Sequence, residues 1–373
     1  MSLIEEILRE TPDTKACRLG PGVTEQAAEL FKELFPTAGR ALVVDDVNTK
    51  RVAGDRVVAL LKDAGIEVSE YTINPDGSWF HATYDKVEEV RDVIFSTSTS
   101  TSSLVPVAVG SGTINDLVKR GSEEAGVRYM VVGTASSMDG YTSFGASITK
   151  DGMKQTLPCR APLGALVDTQ VAAEAPKEMT ASGYADLIAK VPAGADWMLA
   201  DAIAAALPET EKHGCERIHP LAWKCVQGPL RASLANPAGV ATGDEGEIRK
   251  LSEGLIMSAF AMQASGTSRP ASGTEHRSRI TGIWRTFASR ANPSPTVSRS
   301  ALARLPRRRR SSSFWSKISP TWMSRRRSRS GRRRLRNWRR RFRPSTGTVR
   351  TTSGAPRARW RRSTRRRTSC AAS

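Results

Sequence analysis

Apolar and polar positions alternate in two rhythms over the first 135 residues. Short apolar stretches occur in ALVVDDVN at 41–48, IEVSEYTI at 66–73, LVPVAVG at 104–110 and VRYMVVGTA at 127–135. Each is too short for a helix and is bounded by acids, glycine or polar residues, so each predicts a strand of a parallel sheet. Between them, TKRVAGDRVVALLKDAG, YDKVEEVRDVIF and SGTINDLVKRGSEEAG space their apolar residues at helical intervals. Strand and helix in turn imply a parallel sheet with helices on both faces. After about residue 165 the rhythm becomes purely helical, through VAAEAPKEMTASGYADLIAKVPAGADWMLADAIAAAL and GDEGEIRKLSEGLIMSAFAMQASG. The expected organisation is an α/β nucleotide-binding domain over 1–165, an all-helical domain over 166–276, and a tail over 277–373.

Charge separates the tail from the rest. The chain has 373 residues, and all 37 of its acids lie at or before Glu275. Residues 277–373 hold 30 arginines, one lysine and no acid, whereas residues 1–276 hold 26 basic groups, for a net charge of −11. The body is acidic and the tail extremely basic. The five cysteines, Cys17, Cys159, Cys215, Cys225 and Cys370, are scattered and never in CxxC spacing, which speaks against a disulfide framework or a zinc finger. The start, MSLIEEILRE, has no basic stretch followed by an apolar core, and no apolar run approaches membrane-spanning length. A cytoplasmic protein without a membrane partner is expected.

Four stretches carry candidate chemistry. VGSGTIND at 109–116 places Gly110 and Gly112 where a strand meets a helix, so backbone can approach a bound pyrophosphate and the helix N-terminus can face it. It is not GxGxxG, and a structural turn would look the same. TASSMDGYTS at 134–143 follows the next strand and offers small hydroxyl residues and Asp139, as a polar loop or as a second wall of the same cleft. Asp186 and Lys190 sit at i, i+4, a spacing that by itself reads as a solvated ion pair worth a few tenths of a kcal/mol. SRPASGTEH at 268–276 ends in one of only four histidines.

In this order, with LVDTQVAAEAPKEM before the helical motif, these stretches resemble the sn-glycerol-1-phosphate dehydrogenases over roughly residues 20–276. That family belongs to the iron-containing alcohol dehydrogenase superfamily and shares its fold with dehydroquinate synthase. The resemblance implies that NAD or NADP is held by Asp46, by Gly110, Ser111, Gly112, Thr113, Ile114, Asn115 and Asp116, and by Thr134, Ala135, Ser136, Ser137 and Ser143. It implies substrate contacts from Asp139 and Asp186, with Asp186 catalytic. It implies one divalent ion, zinc or nickel, on Asp186 and His276, and a homodimer. The reaction implied is reduction of dihydroxyacetone phosphate to sn-glycerol 1-phosphate, a step of phospholipid synthesis. Hydride addition builds negative charge on the ketone oxygen, which a Lewis acid stabilises. Another polyol dehydrogenase, or a dehydroquinate synthase-like cyclase, remains an alternative within the superfamily.

The departure from that pattern comes at once after His276. The family continues with a motif like SHxW and later GxPVSHG, and this chain has no histidine beyond His276. Read in a shifted frame, the codons behind SRITGIWRTF permit SHYWDMENL, and those behind RANPSPTV permit GKPVSHG. The tail from about Arg277 is therefore expected to be out-of-frame translation after loss of one base, leaving the chain inactive and poorly soluble. STSTSTSS at 96–103 reads as a surface loop; a compensated slip would also produce it. Taken at face value the arginine-rich tail, with interleaved Trp and Phe, would hold RNA or DNA without sequence preference and in a salt-sensitive way.

Overall fold

A computed structural model describes residues 3–98, 103–208 and 215–274. Its centre is a six-stranded parallel sheet of β1 (Ala16–Gly20), β2 (Arg40–Asp46), β3 (Glu67–Ile73), β4 (Leu104–Gly110), β5 (Met130–Gly133) and β8 (Gly164–Asp168), in the order β1-β8-β5-β4-β2-β3. The four strands expected from their apolar runs are all present. Two more, β1 and β8, complete one side, and β6 (Ala146–Lys150) and β7 (Met153–Leu157) form a separate antiparallel hairpin. Asp151 and Gly152 turn that hairpin with positive φ of 53° and 70°, the conformation that two-residue hairpin turns demand.

Helices α1 (Leu3–Leu8), α2 (Ala27–Leu34), α3 (Val47–Thr49), α4 (Asp55–Asp63), α5 (Tyr84–Thr97) and α6 (Gly112–Glu124) accompany the sheet. Alternation along each strand sorts the core into two layers. Ala41, Val43, Val105, Val107 and Val109 pack with α2 and α4, whereas Leu42, Val44, Ala108 and Val131 pack with α5 and α6. β4 is buried along its whole length, as a central strand covered on both faces must be.

After β8 the described elements are α7 (Thr169–Ala173), α8 (Lys177–Ile188), α9 (Lys190–Ala206), α10 (Pro220–Ser233), α11 (Pro237–Thr242) and α12 (Glu245–Ser265). α12 is buried on nearly every side from Ile248 to Gln263, which makes it the central helix of this part. Its Ile256, Met257, Phe260 and Ala261 share one apolar cluster with Val44, Val131 and Val167 of the sheet and with Trp197 and Cys225 of α9 and α10. β8 spans the boundary expected near 165 and ends at Asp168, whose carboxylate accepts from the backbone N–H groups of Gly22, Thr24 and Gln170 at 3.0–3.1 Å. No helix among the described residues is long and apolar enough to cross a membrane.

Candidate active site

The carboxyl ends of the central strands form one edge, with Gly110 paired to Gly133 and Gly133 to Val167. β3 and β4 flank β2, and the helices that follow β2 and β4 pack on opposite faces. The strand order therefore reverses between β2 and β4, and open α/β sheets bind ligands outside such a point. Both expected nucleotide elements, Asp46 and the Gly110–Gly112 turn, end strands there.

Local chemistry explains the turn. A Cβ on Gly110 would lie 2.6 Å from Ile114 Cγ1, so only glycine lets the chain pass from β4 into α6 so closely. Ser111 occupies the N-cap of α6 but makes no side-chain capping bond, leaving first-turn N–H groups for another acceptor. Gly110, Ser111, Gly112 and Thr113 thus lie at the edge. Ile114, Asn115 and Asp116 are buried and engaged internally. Asn115 Nδ2 donates to the carbonyls of Gly140 and Tyr141, both at 3.3 Å, and its Oδ1 accepts from Tyr129 OH at 3.1 Å. Asp116 Oδ2 accepts from Ser147 N–H at 3.2 Å.

Asp46 caps its own short helix. Its Oδ1 accepts from Asn48 and Thr49 N–H, each at 2.8 Å, while Thr49 Oγ1 accepts from Asp46 N–H at 3.0 Å, a capping box. The preceding Asp45 is 1% exposed and bonded to Thr72 Oγ1 at 2.8 Å. Burial pushes its carboxyl up to about 6. A Cβ on Gly54, in the π-helical turn Lys50–Gly54, would lie 2.6 Å from Asp45 Oδ2.

The 134–145 loop forms the second wall. Thr134 N–H donates to Gly110 O at 3.1 Å and Tyr141 OH to Ala135 O at 2.7 Å. Ser136 shares a hydroxyl bond with Ser252 of α12, and Ser143 Oγ donates to Gly140 O at 3.1 Å. Ser137 is half-buried and bonds Tyr141. Lys119, fully buried on α6, donates to the carbonyls of Gly140, Ser143 and Gly145 at 2.7, 3.0 and 3.2 Å. Its three donors are thereby satisfied and the loop is pinned to the helix.

Asp139, Asp186 and Lys190 converge at this wall. Lys190 Nζ lies 2.6 Å from Asp139 Oδ2 and 3.2 Å from Asp186 Oδ1. Asp186 Oδ2 accepts from Asp139 N–H at 3.0 Å, and Asp139 Oδ2 from Ser258 Oγ of α12 at 2.9 Å. Gly183 makes the approach possible: a Cβ there would sit 2.0 Å from the Ser136 carbonyl oxygen. The solvated ion pair expected from spacing alone is corrected by burial. Asp186 is 5% exposed and Lys190 0%, because both lie on the buried stripe 183, 186, 187, 190, 193, 194 and 197. That stripe was readable in the sequence, as a charged pair among small and apolar residues at helical spacing.

Electrostatics follow from two carboxylates meeting one ammonium. Burial pushes the Asp186 carboxyl above the ordinary carboxylate range, the Asp139 carboxylate adds to this, and Lys190 opposes it. Burial alone would lower Lys190, but the two carboxylates outweigh it and hold the ammonium above its ordinary value. Burial pushes the thiols of Cys159 and Cys225 up to about 12, so neither supplies a thiolate near neutral pH.

The described donors do not fit a divalent metal. Among the described residues no three His, Cys, Asp or Glu side chains gather as ligands, whereas catalytic zinc takes three. Asp186 is the one expected ligand present; His276 lies outside the described residues, as do the arginine-rich tail and residues 99–102.

The family model for iron-containing alcohol dehydrogenase matches residues 18–176. A glycerol-1-phosphate dehydrogenase [NAD(P)+] of Bacillus velezensis is 34% identical over 235 residues, covering 63% of this chain and 56% of the relative. The chain thus spans little more than half of that protein. The enzyme of the same name from Methanothermobacter thermautotrophicus is 31% identical over 258 residues, 69% of this chain and 68% of the relative. In fold, the chain resembles an archaeal halo-thermophilic alcohol dehydrogenase from a Red Sea brine pool, with TM-score 0.52 and 17% identity over 69% of this chain and 65% of that one. By its order of strands, its cleft-edge motifs and these relatives, the chain belongs to the glycerol-1-phosphate dehydrogenase family of iron-containing alcohol dehydrogenases.

Proposed function

We propose that the encoded activity is NAD(P)-linked reduction of dihydroxyacetone phosphate to sn-glycerol 1-phosphate. The observation that carries this reading is the convergence of Asp139 and Asp186 on one buried cluster, in the loop whose Met138 packs over Gly112. The N–H groups at the start of α6 would hold the pyrophosphate, with Ile114, Asn115 and Asp116 shaping the turn and Thr134–Ser137, Ser143 and Asp46 completing the cofactor cleft. Asp139 and Asp186, as acceptors, would take hydrogen bonds from the substrate hydroxyl. The hydride's electron pair forms the new C–H bond, the C=O π pair moves onto oxygen, and that oxygen takes its proton from solvent water. Lys190 is the buried positive group beside the carboxylates that can favour that charge.

Zinc or nickel on Asp186 and His276 belongs to the same proposal and rests on the family. The described donors alone do not fit such an ion, so the roles assigned here are those of side chains in place. Two lobes meeting near residue 165, a cytoplasmic homodimer, and a tail that is out of frame from about residue 277 and would attract nucleic acid nonspecifically are also part of it. As written, the chain is proposed to be inactive and poorly soluble.

The test compares this chain with one in which a base is restored near codon 277. The restored chain should oxidise NADH or NADPH with dihydroxyacetone phosphate and not reduce the cofactor with glycerol or simple alcohols. The chain as written should do neither. Preference of the restored chain for glycerol would move the assignment to another polyol dehydrogenase, and robust turnover by the chain as written would overturn the proposed inactivity.

A further inference from the structure

α9 buries one face, through Lys190, Ala193, Gly194, Trp197, Ala200 and Ala204, and its opposite face is apolar as well. Val191, Ala195, Met198, Ala202 and Ala205 are all exposed and recur at intervals of four, three, four and three residues. Leu199 and Ile203 flank this row; Val191 and Met198 are each 57% exposed and Leu199 is 62% exposed. The two acids of the helix lie half-buried at the margin and serve their own chain. Asp196 Oδ2 accepts from Thr274 N–H at 2.7 Å, and Asp201 Oδ1 from Arg217 Nε and Ile218 N–H at 2.7 and 2.9 Å. A helix apolar on every side is normally an interior helix. The exposed face, with the end of α8 at Ile188, amounts to on the order of several hundred Å², more than a lone chain ordinarily shows in one patch. It is of the order of the roughly 800 Å² that each partner buries in a stable pair.

The spacing says what fits there. Apolar residues every 3.5 positions form a seam whose side chains enter holes on a facing helix. The seam also matches itself about its middle. In an antiparallel pair related by a two-fold axis, Met198 meets its own copy, Val191 meets Ala205 and Ala195 meets Ala202, so large and small side chains alternate across the contact. A lipid surface fits less well. Helices that lie on membranes carry Lys and Arg along a polar face, whereas the single basic residue of α9, Lys190, is buried. We propose that the exposed face of α9 is a self-association surface, on which a second copy of this chain docks its own α9 antiparallel about an axis near Met198. The inference rests on the helix's own residues, so it stands or falls apart from the reaction proposed above.

The experiment is sedimentation equilibrium of the full chain at neutral pH over a range of micromolar concentrations, in low and high salt. Wild type should pass from one chain to two as concentration rises, and high salt should not dissolve the pair, since apolar contact holds it. Met198→Glu places like charges at the axis and should weaken pairing by about thirtyfold or more, the effect of losing a central interface side chain. Because Met198 is exposed within one chain, folding should be unchanged by circular dichroism. Leu199→Gln, on the flank of the same face, should weaken pairing too. Mixing Met198→Glu with Met198→Lys should restore pairing, which nonspecific clumping would not do. A wild type that stays single at every concentration would overturn the proposal. So would pairing that survives Met198→Glu but is lost in high salt, which would assign it to attraction between acidic body and basic tail. Binding to phosphatidylserine vesicles that Met198→Glu abolishes would make a lipid surface the occupant and overturn it equally.

Discussion

Gly183→Ala probes the close approach of α8 to the 134–145 loop. A Cβ at this position would lie 2.0 Å from the Ser136 carbonyl oxygen, 2.9 Å from its carbon and 3.1 Å from Leu255 Cδ1. The first two atoms are backbone in a loop held by Tyr141, Ser252 and the β4 end, so they cannot swing aside. α8 must instead retreat by about 1 Å to restore ordinary contact, against packing that tolerates little displacement. Alanine in a helix gains about 1 kcal/mol over glycine, whereas overpacking of this kind costs about 1–3 kcal/mol and more against backbone. Strain wins, for a net loss of about 2 kcal/mol. Urea unfolding of Gly183→Ala beside wild type reads the loss. Gly183→Ala as stable as wild type, or more stable, would refute the close approach of α8 to the 134–145 loop.

Three further outcomes follow from the same geometry. Lys119→Met leaves three buried carbonyls without their donor and should cost about 3 kcal/mol or more, read by urea midpoint, with faster hydrogen exchange in residues 134–145; unchanged exchange there would remove the pinning role. Asp45 has its folded value raised to about 6, so the stability it contributes is whole below about 3.9, its unfolded value, and is lost as pH rises through about 6. Asp45→Asn should therefore gain on wild type by about 1–3 kcal/mol between those limits, and a difference independent of pH would contradict this. Ser258→Ala removes one donor to Asp139 and should cost about 1 kcal/mol without altering the melting behaviour of α6, measured by site-resolved hydrogen exchange.

The sheet was legible where strands are buried on both faces. β2, β4 and β5 read as apolar runs because parallel central strands leave few positions for polar residues. β1 was not, since ACRLG at the sheet edge is only partly buried and carries Arg18. β8, five residues long, merges in sequence with the helical region that follows. The hairpin had its signal in Asp151-Gly152 between alternating segments, but ASITK and MKQTL are weakly apolar and mostly exposed on β7.

Site residues divide in a similar way. Gly110 and Gly112 were legible because a strand-to-helix turn restricts residue type locally. Lys119 depends on what a second element brings near it, and no local pattern states that. The buried stripe through Asp186 and Lys190 is the exception, since helical periodicity places the pair among Gly183, Leu187, Ala193 and Trp197. Asp45, not Asp46, is the more buried of the two acids, because strand alternation turns its side chain inward.

The central claim is that the Asp139–Asp186 cluster is where a ketone receives hydride. It is tested most directly by single-turnover oxidation of NAD(P)H with dihydroxyacetone phosphate in the frame-restored chain, comparing Asp139→Asn and Asp186→Asn with the parent. Loss of either charged group in a polar reaction site should slow the step by about a hundredfold or more, with NAD(P)H affinity within about twofold of the parent as the α6 turn is untouched. Turnover at the parental rate in both variants would contradict the account.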